Sequence, residues 1–224
     1  MIELHGVWKS YGKGRKRRDV LAGATLDLPA GRKIALLGAV GAGKSTAIRL
    51  LSALEPPDLG VVRAAGQRCW PMNYPQFVER AATVLQNALM FEHLFGVSGH
   101  EVAEITAELS GVKIGKFKPF KGYTPLERRY LMLGLTLSVQ FDWYFVDDLL
   151  PPAPPDTGVL VDETIQARFN QASVIWATRD PAFVAGYCDA GLVLHRGALT
   201  FYDTFEAASE AYSRLVPNGG AKRR

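Results

Sequence analysis

The chain has little cysteine, no long apolar run and no strong charge of one sign, and each shortage removes a class of protein. Cysteine occurs only as Cys69 and Cys188 in 224 residues, too few and too scattered for a disulfide framework or a zinc site. Both read as small apolar packing groups in a reducing compartment. The most apolar stretch, Leu131 to Val146, is broken by Gln140 and Asp142 and falls short of the ~20 residues that a membrane span needs. The sequence opens directly into strand-like residues with no charged-then-apolar leader, so secretion is not expected. No internal repeat recurs at solenoid periods. Against 22 Asp and Glu stand 26 Lys and Arg, a formal net charge of +4. Much of that excess sits in Arg15-Lys16-Arg17-Arg18 and Lys222-Arg223-Arg224, runs short enough to be a solvated loop and tail. No nucleic acid is expected as a partner.

What is present is globular. Hydrophobic residues make up 48% and charged residues 21%, which excludes wholesale disorder and fibrous classes. At about 150 residues per domain the length gives roughly 1.5 domains, hence one sizeable domain or a core with a small inserted lobe. Ile2 to Val7 and Val20 to Leu28 alternate apolar and polar as half-buried strands do. Lys33 to Leu37 reads as a short buried strand, and Lys44 to Leu54 has helical spacing until Pro56-Pro57 stops it. The middle then turns helical, over Phe77 to Phe95, Gly99 to Leu109 and Leu126 to Val139. After it come strand Trp143 to Val146, the rigid loop Pro151-Pro152-Ala153-Pro154-Pro155, and helix Val159 to Phe169. Strand Ser173 to Ala177, helix Pro181 to Tyr187, strands Ala190 to Leu194 and Ala198 to Tyr202, and helix Thr204 to Leu215 complete the chain. Strands alternating with helices imply an α/β fold with a mostly parallel sheet.

Gly38-Ala39-Val40-Gly41-Ala42-Gly43-Lys44-Ser45-Thr46 fits the phosphate-loop pattern G-x-x-x-x-G-K-[ST] and lies between an expected strand and an expected helix. Glycines let backbone N–H groups close around phosphate, and the helix N-terminus adds a favourable dipole. Lys44 would reach the β- and γ-phosphates, and Ser45 would offer its hydroxyl to Mg²⁺. A buried structural turn has no need of Lys followed by Ser-Thr. The apolar strand ending in Asp147-Asp148 supplies the second phosphate element. Asp147 would hold Mg²⁺ through water, and Asp148 stands where a general base belongs.

In this order the parts resemble the nucleotide-binding subunit of an ATP-binding cassette (ABC) transporter, over nearly the whole chain. Cys69-Trp70-Pro71, Phe141-Asp142-Trp143-Tyr144 and Tyr187-Cys188-Asp189 are similar to phrases of the branch that exports capsular and related polysaccharides. The resemblance implies a phosphate-loop NTPase of ABC ATPase type, with a mostly parallel core sheet, an N-terminal antiparallel β part and an inserted helical subdomain. Its parts would be a RecA-like core at 1–72 and 141–216, the helical subdomain at 73–140 and a basic tail at 217–224. It implies ATP and Mg²⁺ as cofactors, a membrane-spanning permease, and a second ABC subunit in a homo- or heterodimer. The protein would then be cytoplasmic and peripheral on the inner face of the membrane. Tyr11 would stack on adenine, although a strand-end aromatic reads the same way. Phe91, Phe95 and Phe117 would dock a permease helix or simply pack in a core. The remaining histidines of the later chain, His93, His100 and His195, have no metal-ligand spacing.

Several departures from the family pattern fall on catalytic positions. Where the family carries its Ser-Gly signature, presented to the nucleotide of the opposite subunit, this chain reads Thr124-Pro125-Leu126-Glu127. Thr124 keeps a hydroxyl, but Pro125 has no N–H to donate, and Leu126 is bulky where glycine permits close approach. Asp148 replaces the usual glutamate and is shorter by one methylene, roughly 1.5 Å of reach. Arg179 takes the place of the switch histidine, and arginine only donates hydrogen bonds and stays charged. In the coupling loop Glu79 occupies the place of the usual glutamine, with Gln76 nearby. Together these imply an ATPase that is weak or inactive alone, its binding site retained. The rival expectations are a catalytically inactive, nucleotide-responsive regulatory or scaffold protein with an ABC fold, and a stand-alone phosphotransferase. No lid arginines or acceptor-binding motif support the last.

Overall fold

Alternation in the first thirty residues resolves, in the computed structural model, into a hairpin. The structure describes residues 1–72 and 77–216. Strand β1 (Ile2–Tyr11) pairs antiparallel with β2 (Arg18–Leu28), and on its other side with β4 (Leu59–Ala64). Among the described residues this three-stranded sheet, ordered β2-β1-β4, accompanies a six-stranded one. The second sheet is built from β5 (Arg68–Pro71), β6 (Trp143–Asp147), β7 (Ser173–Thr178), β3 (Lys33–Leu37), β8 (Ala190–His195) and β9 (Ala198–Tyr202), in that spatial order. Its first five strands run parallel and β9 closes the edge antiparallel. The fold is the α/β phosphate-loop type, with the N-terminal antiparallel part in place.

The chain divides into two compact units. The first holds both sheets with α1 (Lys44–Leu51) and α6 (Phe205–Leu215), and takes in Met1–Pro71, Asp142–Leu149 and the chain from Ala172 onward. Strands β3, β6 and β7 are buried almost end to end, as parallel strands are when both faces of a sheet are covered. Ile34, Leu36, Phe145, Ile175 and Leu192 join Ile48 and Leu51 of α1 in one core with Ile2, Leu4 and Leu21 of the small sheet.

The second unit, Met72–Phe141 with Leu150–Gln171, is helical: α2 (Val84–Phe95), α3 (Gly99–Ser110), α4 (Pro125–Ser138) and α5 (Gly158–Gln171). Residues 150–171 were expected in the core, yet Thr157 Oγ1 donates to Leu109 O at 2.6 Å and Arg168 Nε to Leu137 O at 3.1 Å. Those bonds tie α5 to the helical unit. Phe91 is buried and Phe95 stands edge-to-face between it and Phe141, so both belong to the core of this unit. Phe117 is 82% exposed.

Four local expectations are corrected. The helix expected from Phe77 starts at Val84, because Thr83 and Gln86 form a reciprocal capping box that fixes the N-terminus there. The helix expected over Pro181–Tyr187 is a single 3-10 turn, Pro181–Phe183, capped by the Asp180 side chain. Helix α1 ends at Leu51 rather than Leu54, because Ala53 takes a left-handed conformation with φ 62°. Strands β4 and β5 were not expected at all. β4 is largely exposed and β5 has four residues ending in a proline at the sheet edge, so neither carries a clear alternation. Among the described residues no helix is long and apolar enough to cross a membrane. Gln76 and the basic tail 217–224 lie outside the described residues.

Candidate nucleotide-binding site

Register places the chemistry. Leu37 at the end of β3 pairs with Thr178 of β7, and Ala177 pairs with Asp147 of β6. The phosphate loop, Arg179 and Asp147-Asp148 therefore all leave the sheet at its carboxyl edge, where open parallel sheets bind ligands. The loop passes from Gly38 to Gly43, which caps α1 with φ 108°. A Cβ on Gly43 would stand 2.2 Å from Val20 Cγ1, so β2 crosses too close for any other residue. Thr46 is buried at the start of α1 and Ser45 is exposed.

Lys44 Nζ donates to Gly38 O at 2.6 Å and Ala39 O at 3.2 Å, lying back along its own loop. Its pKa is lowered, first by burial; the carboxylates of Asp147 and Asp148 oppose that shift and the Arg179 guanidinium reinforces it. The structure thus brings Lys44, Asp147, Asp148 and Arg179 into one electrostatic neighbourhood. A cleft of about 330 Å³ opens beside Lys44, lined by Tyr11, Arg18, Val20, Gly41, Gly43, Lys44, Ser45 and Thr46; Asp147, Asp148 and Arg179 are not in its lining. Gly41 and Gly43 are the loop glycines of that lining, and Tyr11 in it is 41% exposed.

Three features had escaped sequence reasoning. Arg18 of the basic run hydrogen-bonds the Gly41 carbonyl and lines the cleft. Asp148 adopts φ 72°, a left-handed conformation rare outside glycine and a few polar residues. Its N–H donates to Ala177 O at 2.9 Å, and its carbonyl accepts Trp176 Nε1 at 3.0 Å. Arg179 is steadied through its backbone, where Tyr212 Oη donates to its carbonyl at 3.1 Å. Asp-Asp before a proline-rich loop is the only sequence signal for the first of these backbone clamps, and α6 carried none for the second.

Thr124, Pro125, Leu126 and Glu127 belong to the helical unit and open α4. Glu127 N–H donates to Thr124 Oγ1 at 3.2 Å and Thr124 N–H to Glu127 Oε2 at 2.6 Å, a complete capping box. Pro125 occupies the first helical position, where a missing N–H costs the helix nothing. The Thr124 backbone bond holds the Glu127 carboxyl below its usual range. Leu126 is 50% exposed.

The donors fit Mg-ATP. The loop offers a glycine-only approach at Gly43, a sheltered lysine lying along its own carbonyls and an exposed Ser45, and the carboxylates of Asp147 and Asp148 act on that lysine. Among the described residues no group of three or more His, Cys, Asp or Glu side chains is placed to hold a metal alone. Magnesium here would share a hydroxyl, a carboxylate and phosphate oxygens.

A family model described as ABC transporter matches residues 21–141, over half of the chain. The chain belongs to the ABC transporter family. Its ABC relatives include the ATP-binding protein BexA of Haemophilus influenzae, 28% identical over 95% of this chain and 98% of that one. The capsule polysaccharide export ATP-binding protein CtrD of Neisseria meningitidis is 27% identical over 96% of this chain and 100% of its own. Among solved structures, an ATP-binding subunit of an ABC transporter aligns with TM-score 0.66 at 20% identity, covering 99% of this chain and 95% of that one. An ATP-binding cassette solved as a dimer in a post-hydrolysis state with ADP and Pi aligns with TM-score 0.64 at 18% identity, over 90% of this chain and 98% of its own. These two share the ABC fold.

Proposed function

We propose that this chain is the ATP-binding subunit of a polysaccharide-exporting ABC transporter, driving or regulating export through nucleotide-dependent dimerisation and hydrolysing ATP slowly on its own. The observation that carries the reading is the register that brings the phosphate loop, Asp147-Asp148 and Arg179 out at one carboxyl edge of the parallel sheet. The relative CtrD, a capsule polysaccharide export ATP-binding protein matched along its whole length, supports the cargo class. A triphosphate fits the N-terminus of α1, where unpaired N–H groups and the helix dipole favour an anion. Lys44 exchanges the Gly38 and Ala39 carbonyls for phosphate oxygens, a stronger charge-assisted contact. Ser45 and Asp147 hold Mg²⁺, which when bound neutralises charge on the phosphate oxygens. Tyr11 stacks on the adenine.

Hydrolysis is weakened on this reading at three places. Asp148 reaches less far than glutamate, and displacements of about 1 Å cost on the order of a hundredfold in rate. Arg179 grips the γ-phosphate but relays no proton. Thr124 offers the second subunit a hydroxyl, while Pro125 and Leu126 withhold the bare backbone. Dimers of this chain, or of this chain with a better-equipped ABC subunit, would sit on a membrane-spanning permease at the inner face.

Titration of the purified chain with Mg-ATP, followed by steady-state ATPase, tests this. Wild type should bind, and Lys44→Ala should weaken binding by at least about tenfold, one step of 1.4 kcal/mol. Wild type without detectable binding would overturn the reading. Full turnover by a homodimer would remove its slow-hydrolysis part.

A further inference from the structure

A second polar cluster reaches the cleft through two of its lining residues, Tyr11 and Thr46, and its hydrogen bonds join the two. Arg49 lies in the last turn of α1. Its Nη2 carries two protons. One is donated to the Tyr11 hydroxyl at 3.2 Å and the other to Thr46 Oγ1 at 3.1 Å. Its Nε donates to Glu55 Oε2 at 3.0 Å. The Tyr11 hydroxyl in turn donates to Glu55 Oε1 at 2.6 Å. Arginine only donates, so Thr46 Oγ1 accepts here and its own proton remains for a ligand. Both Tyr11 and Thr46 line the cleft, one at its exposed aromatic end and one in the phosphate loop.

The backbone is bent to make this contact. Ala53 in the left-handed region turns the chain back, so that the N–H groups of Leu54 and Glu55 donate to Arg49 O at 2.9 and 3.2 Å. Glu55 is thus attached to Arg49 through both backbone and side chain. Lys9, two residues before Tyr11 on β1, then contacts Glu55 Oε1 at 2.9 Å, Asp58 Oδ1 at 3.2 Å and Pro56 O at 2.8 Å. The side chains of Lys9, Glu55 and Arg49 are 10%, 21% and 33% exposed, sheltered enough for a network to hold fixed geometry. Burial pulls the Glu55 carboxyl up, but hydrogen bonds from Tyr11, Lys9 and Arg49 outweigh it and hold the group below its usual range.

We propose that Arg49, anchored by Glu55, is a positioning residue that locks the base-side Tyr11 to the phosphate-side Thr46, so that the adenosine and triphosphate parts of one nucleotide are bound as a unit. This rests on the reading of the cleft as a Mg-ATP site. A guanidinium is suited to the task because a single planar group reaches both hydroxyls and the carboxylate in fixed directions. A ligand that holds Tyr11 in place also holds Arg49, and Arg49 presents the Thr46 hydroxyl. A ligand lacking the base gains nothing from that ordering.

The test compares Mg-ATP with Mg-tripolyphosphate, titrated calorimetrically into the full chain. The ratio of the two affinities is the readout, since a cluster that only staples β1 to α1 would weaken both ligands alike. Glu55→Gln and Arg49→Gln should each reduce the preference for ATP by about tenfold, the scale of one charge-assisted hydrogen bond. Arg49→Lys, which keeps the charge without the planar fork, should not restore it. Tyr11→Phe keeps the ring and removes only a hydroxyl on an exposed side chain, so it reports even where the charge variants fold poorly. It should reduce the same ratio in wild type, and by much less when Glu55→Gln is already present. An unchanged ratio in Tyr11→Phe and Glu55→Gln, with wild type still binding ATP, overturns the positioning role alone. Equal losses for both ligands would do the same. No binding of ATP by wild type overturns the site reading as well.

Discussion

The two halves of the candidate site, the cleft at the phosphate loop and the ends of β6 and β7, are built differently. On the phosphate-loop half, side chains are interlocked: Lys44 on Gly38 and Ala39, Arg49 on Thr46, Tyr11 and Glu55, and Lys9 on Glu55 and Asp58. On the half formed by the ends of β6 and β7, the fixed groups are main-chain ones. The Asp148 carbonyl is held by Trp176, its N–H by Ala177 O, and the Arg179 carbonyl by Tyr212. The first half specifies where side chains point, which binding a defined ligand requires. The second specifies a backbone path and leaves the functional groups of Asp148 and Arg179 less constrained. The proposed retention of binding with slow hydrolysis is consistent with that asymmetry.

Gly43→Ala should break the first half most severely. The new Cβ meets Val20 Cγ1 at 2.2 Å in a backbone at φ 108°. Overpacking at about 1–3 kcal/mol and the left-handed penalty of roughly 1–2 kcal/mol both oppose it. Urea unfolding should register a loss of about 2–5 kcal/mol, with ATP affinity falling too. A variant as stable as wild type would mean that β2 is not pressed against the loop.

The second half is sharpened by restoring it. Asp148→Glu with Arg179→His should raise steady-state hydrolysis by at least about tenfold, a modest fraction of what positioned acid–base groups contribute. Binding of Mg-ATP should change far less. If the rate does not rise, then on the proposed dimeric reading the block lies with Thr124, Pro125 and Leu126 at the start of α4.

How much of this was legible in the sequence follows the same division. The strand–turn–helix around Gly38 to Thr46 was readable because its requirements are local: glycines, a lysine and hydroxyls at fixed spacing. The carboxylate at the end of β6 was readable because an apolar run ends abruptly at Asp147. The Arg49–Glu55 bridge was not, since it depends on Ala53 in a left-handed turn, and alanine gives no sign of that conformation. Nothing near Arg179 in sequence points to Tyr212, 33 positions on. Strand β4 was missed because its partner is β1, more than fifty residues earlier, and its own side chains are mostly exposed. The capping box at Thr83 was legible in principle, as Thr-x-x-Gln, but the apolar spacing beginning at Phe77 masked it.

The smallest expected effect concerns Asp148 itself. An aspartate at φ 72° is more tolerated than most residues, so the penalty it carries lies at the low end of the usual roughly 1–2 kcal/mol, about 1 kcal/mol, and glycine there would carry none. The clamping bonds from Trp176 and to Ala177 use only the Asp148 main chain, so they survive Asp148→Gly. Glycine also makes the unfolded chain more flexible, which offsets part of the relief. The net should be a gain of about 0.5 kcal/mol in urea unfolding. Asp147→Gly, at a strand position paired with Ala177, should instead lose stability by roughly 0.5–1 kcal/mol. Opposite signs at neighbouring aspartates would locate the strain at one residue of the hydrolytic edge. Losses at both would mean that the Asp148 carboxylate, rather than its backbone, is what the fold relies on there.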